Sequence, residues 1–219
     1  MAKHINIPNT NYWVLEGDSA LTKAALESGR LINETSIENL DEVKALKSGD
    51  VVLDIGALVG DTAEIFLNLG CEVYAFEPYL DAFECLEHNC PKAKNYNVAV
   101  GDGRQMAALG KLGEDGSNFG TRMMELNQGQ PSFRIDDLNL DKCDFAKIDC
   151  EGCEPMVLDG MKRTLKKFKP KLLIECYDTL LKKQGFRRED ILVPLKELGY
   201  QYRVAIGIES NDRVDLLFY

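Results

Sequence analysis

Positive charge is in deficit in this sequence: 26 Lys and Arg stand against 36 Asp and Glu, for a net charge of −10 over 219 residues. A chain this acidic repels a phosphate backbone at long range. That argues against non-specific nucleic-acid binding and leaves only a local basic patch for it. No stretch approaches the roughly 20 consecutive apolar residues of a bilayer span. Met1 to Asn11 has no apolar signal core, so the expected location is cytoplasmic. The seven cysteines are odd in number and fall mostly inside predicted helices and strands. They do not suit the disulfide framework of a small secreted chain and are expected as reduced thiols. Histidine, the commonest general base, is limited to two residues. His4 lies in the N-terminal tail, and His88 sits late in a predicted helix beside Cys85 and Cys90, where packing is the expected role. Internal repeats, low-complexity tracts and the G-x-S-x-G of a hydrolase elbow are also missing. What remains is 45% apolar and 28% charged, a globular balance at a length that suits one domain.

Residues 1–48 are polar and helical in pattern. Ser19 to Gly29 reads as a short helix. A second opens at Thr35 with Glu38 as its capping-box partner, and Ile37, Leu40, Val43 and Leu46 lie on one side. The segment is expected to be a helical appendage, serving as a lid or a homodimer contact, ahead of a domain over residues 49–219; Tyr12 and Trp13 are candidate contact residues, and core packing explains them as well. From Gly49-Asp50 the rhythm becomes strand, glycine turn, helix. Strands are predicted at Val51 to Ile55, Cys71 to Phe76, Asn95 to Val100, Cys143 to Ile148 and Leu172 to Cys176. Helices are predicted at Gly60 to Leu69, Tyr79 to Asn89, Glu154 to Phe168 and Arg188 to Leu198. Gly101 to Gly120 holds six glycines and is expected to be mostly loop, with Gly110 to Gly120 closing over the site. Thr121 to Leu126 and Ser132 to Ile135 read as short strands, and Tyr200 to Ile206 and Val214 to Tyr219 as a closing antiparallel pair. Alternating βα units predict an α/β, Rossmann-like fold. It has a seven-stranded, mainly parallel sheet with an antiparallel C-terminal edge pair and helices on both faces.

Ligands of such a sheet sit beyond the carboxyl ends of its strands. The first strand ends Asp54-Ile55-Gly56-Ala57-Leu58-Val59-Gly60-Asp61-Thr62. Gly56 suits the tight turn, Gly60 lets the next helix approach, and that helix offers free N–H groups. The second ends at Glu77-Pro78-Tyr79, and Glu77, 21 residues after Gly56, is placed to grip a ribose diol. The pattern is G-x-x-x-G rather than the G-x-G-x-x-G of dinucleotide sites, and Leu58 stands where a pyrophosphate needs bare backbone. Asp54 and Asp61 repel pyrophosphate but attract the ammonium and sulfonium of S-adenosylmethionine. A nicotinamide-dependent oxidoreductase and a non-catalytic cofactor-binding module are the competing readings.

The fourth strand runs into Phe145 to Gly160, FAKIDCEGCEPMVLDG. This block resembles the K-I-D-x-E-G-x-E-x-x-V-L-x-G signature of the FkbM-type methyltransferases. Val52 to Ala57, Tyr74 to Pro78, Asn97 to Val100, Ile135 to Leu138 and Pro170 to Glu175 resemble further family motifs in the same order, so the likeness covers about Val51 to Tyr177. One departure is Leu58, where the family often has Asn. The resemblance implies a class I fold and transfer of a methyl group from S-adenosylmethionine, usually to a hydroxyl of a sugar or other small metabolite; an RNA or nucleotide hydroxyl is the alternative acceptor. Carried onto this chain, the cofactor residues are Asp54, Gly56, Ala57, Leu58, Gly60, Asp61, Thr62, Glu77, Pro78, Tyr79, Val98, Ala99 and Asp149. Asp149 is expected nearest the methyl group, Glu151 or Glu175 to orient or deprotonate the acceptor, and Lys147 to face the same side as Asp149. Asp149 and Glu175 are also hard oxygen ligands of the kind Mg²⁺ takes, but no metal is expected. Cys150-x-x-Cys153 lacks a second pair at zinc spacing and reads as structural thiols. The basic run Lys162 to Lys171 reads as a solvated helix face, with contact to an anionic acceptor such as RNA or a phosphorylated glycan as the alternative.

Overall fold

Val51–Ile55 is buried at every position, as a strand covered on both faces must be. In the computed structural model it forms the centre of the main sheet. The structure describes residues 4–8, 10–15, 26–27, 31, 37–108, 124–126 and 129–219. Within them the chain begins with β1 (His4–Asn6) and β2 (Trp13–Leu15), then the short helix α1 (Asp41–Lys44). There follow β3 (Val51–Ile55), α2 (Asp61–Asn68), β4 (Glu72–Phe76), α3 (Leu80–Asn89) and β5 (Lys94–Tyr96). Three short strands come next: β6 (Gln105–Ala108), β7 (Met124–Leu126) and β8 (Gln130–Pro131). Then come β9 (Phe145–Ile148), α4 (Glu154–Gly160), α5 (Lys162–Phe168) and β10 (Lys171–Tyr177), and last α6 (Asp178–Lys183), α7 (Glu189–Glu197), β11 (Tyr202–Gly207) and β12 (Arg213–Phe218).

The main sheet has seven strands in the order β11-β12-β10-β9-β3-β4-β5. The neighbours from β10 to β5 pair in parallel, and β12 is antiparallel to both β10 and β11. The order reverses at β3, the switch point where ligands of open α/β sheets bind. Strand alternation divides the core in two. Leu53, Ile55, Ile148, Ile174 and Leu216 face Val157, Leu165, Ile191 and Leu195 of α4, α5 and α7. Val52, Val73, Phe145, Leu173 and Leu217 face Ala63, Ile65 and Phe66 of α2, Val43 of α1 and Leu86 of α3. Asp54, Glu77, Lys147, Asp149, Glu175 and Asp215 share the parity of this second set. They therefore occupy one face of the sheet, where the strands run out beyond the helices.

Several elements differ from expectation. The N-terminal segment contributes an antiparallel β1–β2 hairpin, not only helix, while the helix expected at Ser19 to Gly29 falls almost wholly outside the described residues. Tyr12 and Trp13 are used within the chain: the Tyr12 hydroxyl bonds Glu64, and Trp13 stacks on His88 at 4.0 Å. The third strand is shorter than expected. After Tyr96 the chain leaves the sheet, and Val100 bridges Phe133 instead. Part of the glycine-rich segment is β6, the centre of a β7-β6-β8 sheet whose Met106 and Met124 pack on Cys153 and Met156. The expected closure by Gly110 to Gly120 lies outside the described residues.

The single helix expected over Glu154 to Phe168 is two, broken at Met161. Two contacts explain the break. A Cβ on Gly160 would lie 1.8 Å from the Gly101 carbonyl oxygen, so backbone meets backbone there. Then the buried Asp136 carboxylate accepts the N–H groups of Arg163 and Thr164, both at 2.9 Å, and the Thr164 hydroxyl at 2.9 Å, satisfying the orphan donors that open a new helix. Asp136→Ala strands these donors, and urea unfolding is expected to show a loss of about 1–3 kcal/mol. Stability equal to that of the native protein would contradict this account of the break.

Candidate active site

The loop from β3 to α2 is shaped by two close approaches. Gly56 has φ +81, and a Cβ there would sit 1.9 Å from the Asp149 carbonyl oxygen, so only glycine lets β3 pass β9 at this point. Leu58 also has positive φ, +46, a conformation that Asn tolerates better than leucine. The loop is tied to β4 by the Gly56 and Ala57 N–H groups, which share the Phe76 carbonyl at 3.0 Å.

Glu77 is 4% exposed. Its Oε2 accepts the Leu58 N–H and its Oε1 the Tyr79 N–H, both at 2.9 Å. Read from sequence as a ribose ligand alone, it is also the clasp between the two strand-end loops. The Asn97 amide holds the Glu77 and Pro78 carbonyls at 2.8 and 3.2 Å. Val98 and Ala99 follow it, partly buried, while Tyr79 is buried as α3 opens.

Asp54 is wholly buried, and its Oδ2 accepts the Thr62 hydroxyl at 2.6 Å. Its Oδ1 has no hydrogen-bond partner among the described residues and lies 3.9 Å from the Lys147 ammonium. Lys147 donates to the Gly56 carbonyl at 2.9 Å and pairs with Asp149 at 3.2 Å. Burial alone would lower the Lys147 pKa, but the carboxylates of Asp149, Asp54 and Asp61 outweigh it and raise it, so Lys147 is a fixed positive charge rather than a base. Burial raises Asp54, against the pull of Lys147 and the Thr62 hydrogen bond. Burial pushes Asp61, at the start of α2, up to about 6.

Beyond Lys147 lies a row of acids. Ile148 is in register with Ile174, so Asp149 and Glu175 come next side by side, and Glu175 is opposite Asp215. Carboxylates on adjacent strands repel when all are ionised. Burial raises Asp149, but the Lys147 charge and the Glu175 hydrogen bond outweigh it and hold Asp149 below its ordinary range. Burial and the Asp149 charge raise Glu175, although Arg213 pairs with it. Asp215 is pushed up to about 6, first by burial and then by Asp149. Glu151 stands in a tight turn closed by the Cys153 N–H on the Cys150 carbonyl at 3.2 Å, with positive φ at Glu151 and Gly152. Burial and the charges of Asp149 and Glu175 raise Glu151. The turn is braced by Glu154, whose Oε1 accepts the Cys150 and Gly152 N–H groups at 2.9 and 3.1 Å. One carboxylate oxygen each from Asp149, Glu151 and Glu175 lies within 4.8 Å of the others.

The structure thus brings Asp54, Gly56, Lys147, Asp149, Glu151 and Glu175 together, and keeps Glu77 at the neighbouring strand end. Sequence reasoning missed Asn97, Glu154, Arg213 and Asp215. Glu154 was visible as the final acid of E-G-x-E; Arg213 and Asp215 had no local signal. All seven cysteines are free, and burial, with Glu154 and Glu151 nearby, pushes the Cys153 thiol up to about 12, consistent with unreactive thiols. In the basic run, Lys162 pairs with Asp159 and Arg163 with Asp136.

The family described as the methyltransferase FkbM domain matches residues 54–202. No curated protein matches the sequence. Among solved structures, methyltransferase FkbM from Methylobacillus flagellatus is similar at 19% identity with a TM-score of 0.56; the match covers 80% of this chain and 44% of that one, so this chain spans under half of that protein. A TehB-like SAM-dependent methyltransferase from Corynebacterium glutamicum is 12% identical over 90% of this chain and 92% of its own, with a TM-score of 0.50. SMU.1697c from Streptococcus mutans, solved in complex with SAH, is 11% identical over 80% and 91%, with a TM-score of 0.52. At these identities the likeness is one of fold.

A carboxyl group raised in the folded protein, as Glu151 is, holds its proton there at pH values where the unfolded chain has lost it. It therefore withdraws stability as pH climbs above its ordinary value of 4.5. Glu151→Gln removes that dependence. Urea unfolding is expected to show the variant gaining stability relative to the native protein as pH rises from 4.5 into the alkaline range. A difference independent of pH would contradict the protonation assigned to Glu151.

Proposed function

Because the chain belongs to the FkbM methyltransferase family, we propose that it transfers a methyl group from S-adenosylmethionine to a hydroxyl oxygen of a sugar or other small polyhydroxylated metabolite. Membership removes the nicotinamide oxidoreductase reading. The observation that carries the choice of donor is the excess of carboxylates over cations at the strand ends, with one buried Asp54 oxygen left without a hydrogen-bond partner among the described residues. Such a site favours a ligand bearing ammonium and sulfonium charges and disfavours pyrophosphate.

Bound S-adenosylmethionine supplies a methyl group on a sulfonium that is already a good leaving group. The remaining work is positioning. Glu77 receives the ribose hydroxyls, and Asp54 receives the ammonium. The Gly56–Gly60 loop, with Asp61 and Thr62 at the start of α2, frames the amino-acid end. Pro78, Tyr79, Val98 and Ala99 border the base. Asp149, kept ionised by Lys147, faces the methyl group. Glu151 or Glu175 orients the acceptor hydroxyl; both are raised and hold a proton near neutral pH, so whichever of them deprotonates the acceptor does so from its ionised form, a stronger proton acceptor than an ordinary carboxylate. A row of carboxylates accepts hydrogen bonds from several hydroxyls at once, which supports a polyol acceptor over a phosphorylated one.

Calorimetry with S-adenosylhomocysteine is expected to show binding that weakens about tenfold or more in Asp54→Asn and in Glu77→Gln, the cost of a charged hydrogen bond. A labelled-methyl transfer screen across sugars, lipid-linked glycans, nucleotides and RNA is expected to find turnover on a sugar or small polyol that is lost in Asp149→Asn. Transfer to RNA alone would replace the acceptor class. Binding without turnover on any acceptor, unaffected by Asp149→Asn, would favour a non-catalytic module.

A further inference from the structure

The N-terminal hairpin is joined to the donor loop through one side chain. Asn89, the last residue of α3, accepts the Trp13 N–H on Oδ1 at 2.8 Å. Its amide nitrogen donates to the Trp13 carbonyl and to the Val59 carbonyl, both at 2.8 Å. Asn89 therefore bonds β2 from both of Trp13's backbone groups and holds the Gly56–Gly60 loop at Val59. The ring of His88 stacks on Trp13 and bonds the Asn11 carbonyl at 2.9 Å, and the Tyr12 hydroxyl reaches Glu64 of α2.

A hydrophobic cluster continues the connection. Ile7, Val14 and Leu15 of the hairpin region are buried with Val59, Tyr79, Ala82 and Cys85, and Leu58 packs against them. Leu58 and Tyr79 both donate their N–H groups to the Glu77 carboxylate. The route from hairpin to carboxylate is thus two side chains and their own amides. Leu58 also holds a left-handed backbone that an L-leucine resists, and its contact with this cluster favours that conformation.

We propose that Asn89 is a positioning residue for the donor. Through it the hairpin fixes Leu58 and Tyr79, and hence the Glu77 carboxylate, in the arrangement that receives the ribose. The proposal rests on the reading of Glu77 as a ribose ligand. Asn89 itself touches no substrate. Coupling of this kind is reciprocal: if the docked hairpin strengthens donor binding, donor binding tightens the hairpin on α3 by the same factor.

The full-length native protein, Asn89→Ala and Tyr12→Phe are titrated with S-adenosylhomocysteine, and amide hydrogen exchange of the hairpin is followed with and without it. Affinity is expected to fall about tenfold in Asn89→Ala, the cost of one buried hydrogen bond. It is expected to fall less, in the same direction, in Tyr12→Phe, which loosens the hairpin without touching the loop. In the native protein, S-adenosylhomocysteine is expected to slow exchange of the Trp13 amide, a response that a merely structural contact would not give. Native affinity in Asn89→Ala, or Trp13 exchange indifferent to the ligand in a native protein that binds it, overturns the positioning role alone. If Asn89→Ala does not fold, native affinity in Tyr12→Phe overturns it. A native protein that binds no S-adenosylhomocysteine overturns the Glu77 reading together with the proposal.

Discussion

The Lys147 ammonium is the interaction on which the rest of the site depends. It reaches the Gly56 carbonyl, Asp149 and Asp54 from one position on β9. Buried acids without a cation among them would stay protonated, because desolvation penalises the charged form. With Lys147 present, Asp149 stays ionised at the end of the strand, and the turn at Gly56 is anchored to the neighbouring strand by a charged hydrogen bond. Removing that positive charge would alter both the shape of the loop and the ionisation of the row.

The carboxylates act as a graded set. Asp149, beside Lys147, is held low. Glu175 and Glu151, further from it and beside other acids, are raised, and Asp215 is moved to about 6. Environments that push neighbouring acids apart create groups that hold a proton next to groups that do not. In the methyl transfer to oxygen proposed above one hydroxyl proton has to leave, and an ionised carboxylate of this row is the group that can take it without a histidine. Arg213 keeps Glu175 from being stranded as an unpaired buried acid.

The fold and half of the site were legible in the sequence because both follow from alternation. Asp54 lies one residue before the end of an apolar strand, and Glu77 and Asp149 directly follow theirs, so their place at the carboxyl edge could be read from the sequence pattern. Lys147, two residues before Asp149, had to share its face. Arg213 and Asp215 were not legible. They belong to β12, which inserts antiparallel between β10 and β11, so its beginning rather than its end meets the site. The break between α4 and α5 depends on Asp136, distant in sequence, and on a carbonyl pressed against Gly160. The hairpin strands, three residues each, are too short to show periodicity. The part Glu77 plays in clasping the two loops was hidden because a side-chain type says nothing of the backbone N–H groups that surround it.

The most direct test of the central claim is a crystal structure of the protein grown with S-adenosylhomocysteine. The account predicts the nucleoside at the carboxyl ends of β3 and β4, its ribose hydroxyls on Glu77, its amino group on Asp54, and Lys147 still bonded to the Gly56 carbonyl. A nucleoside bound elsewhere, or a ribose that lies out of reach of the Glu77 carboxylate, would contradict it.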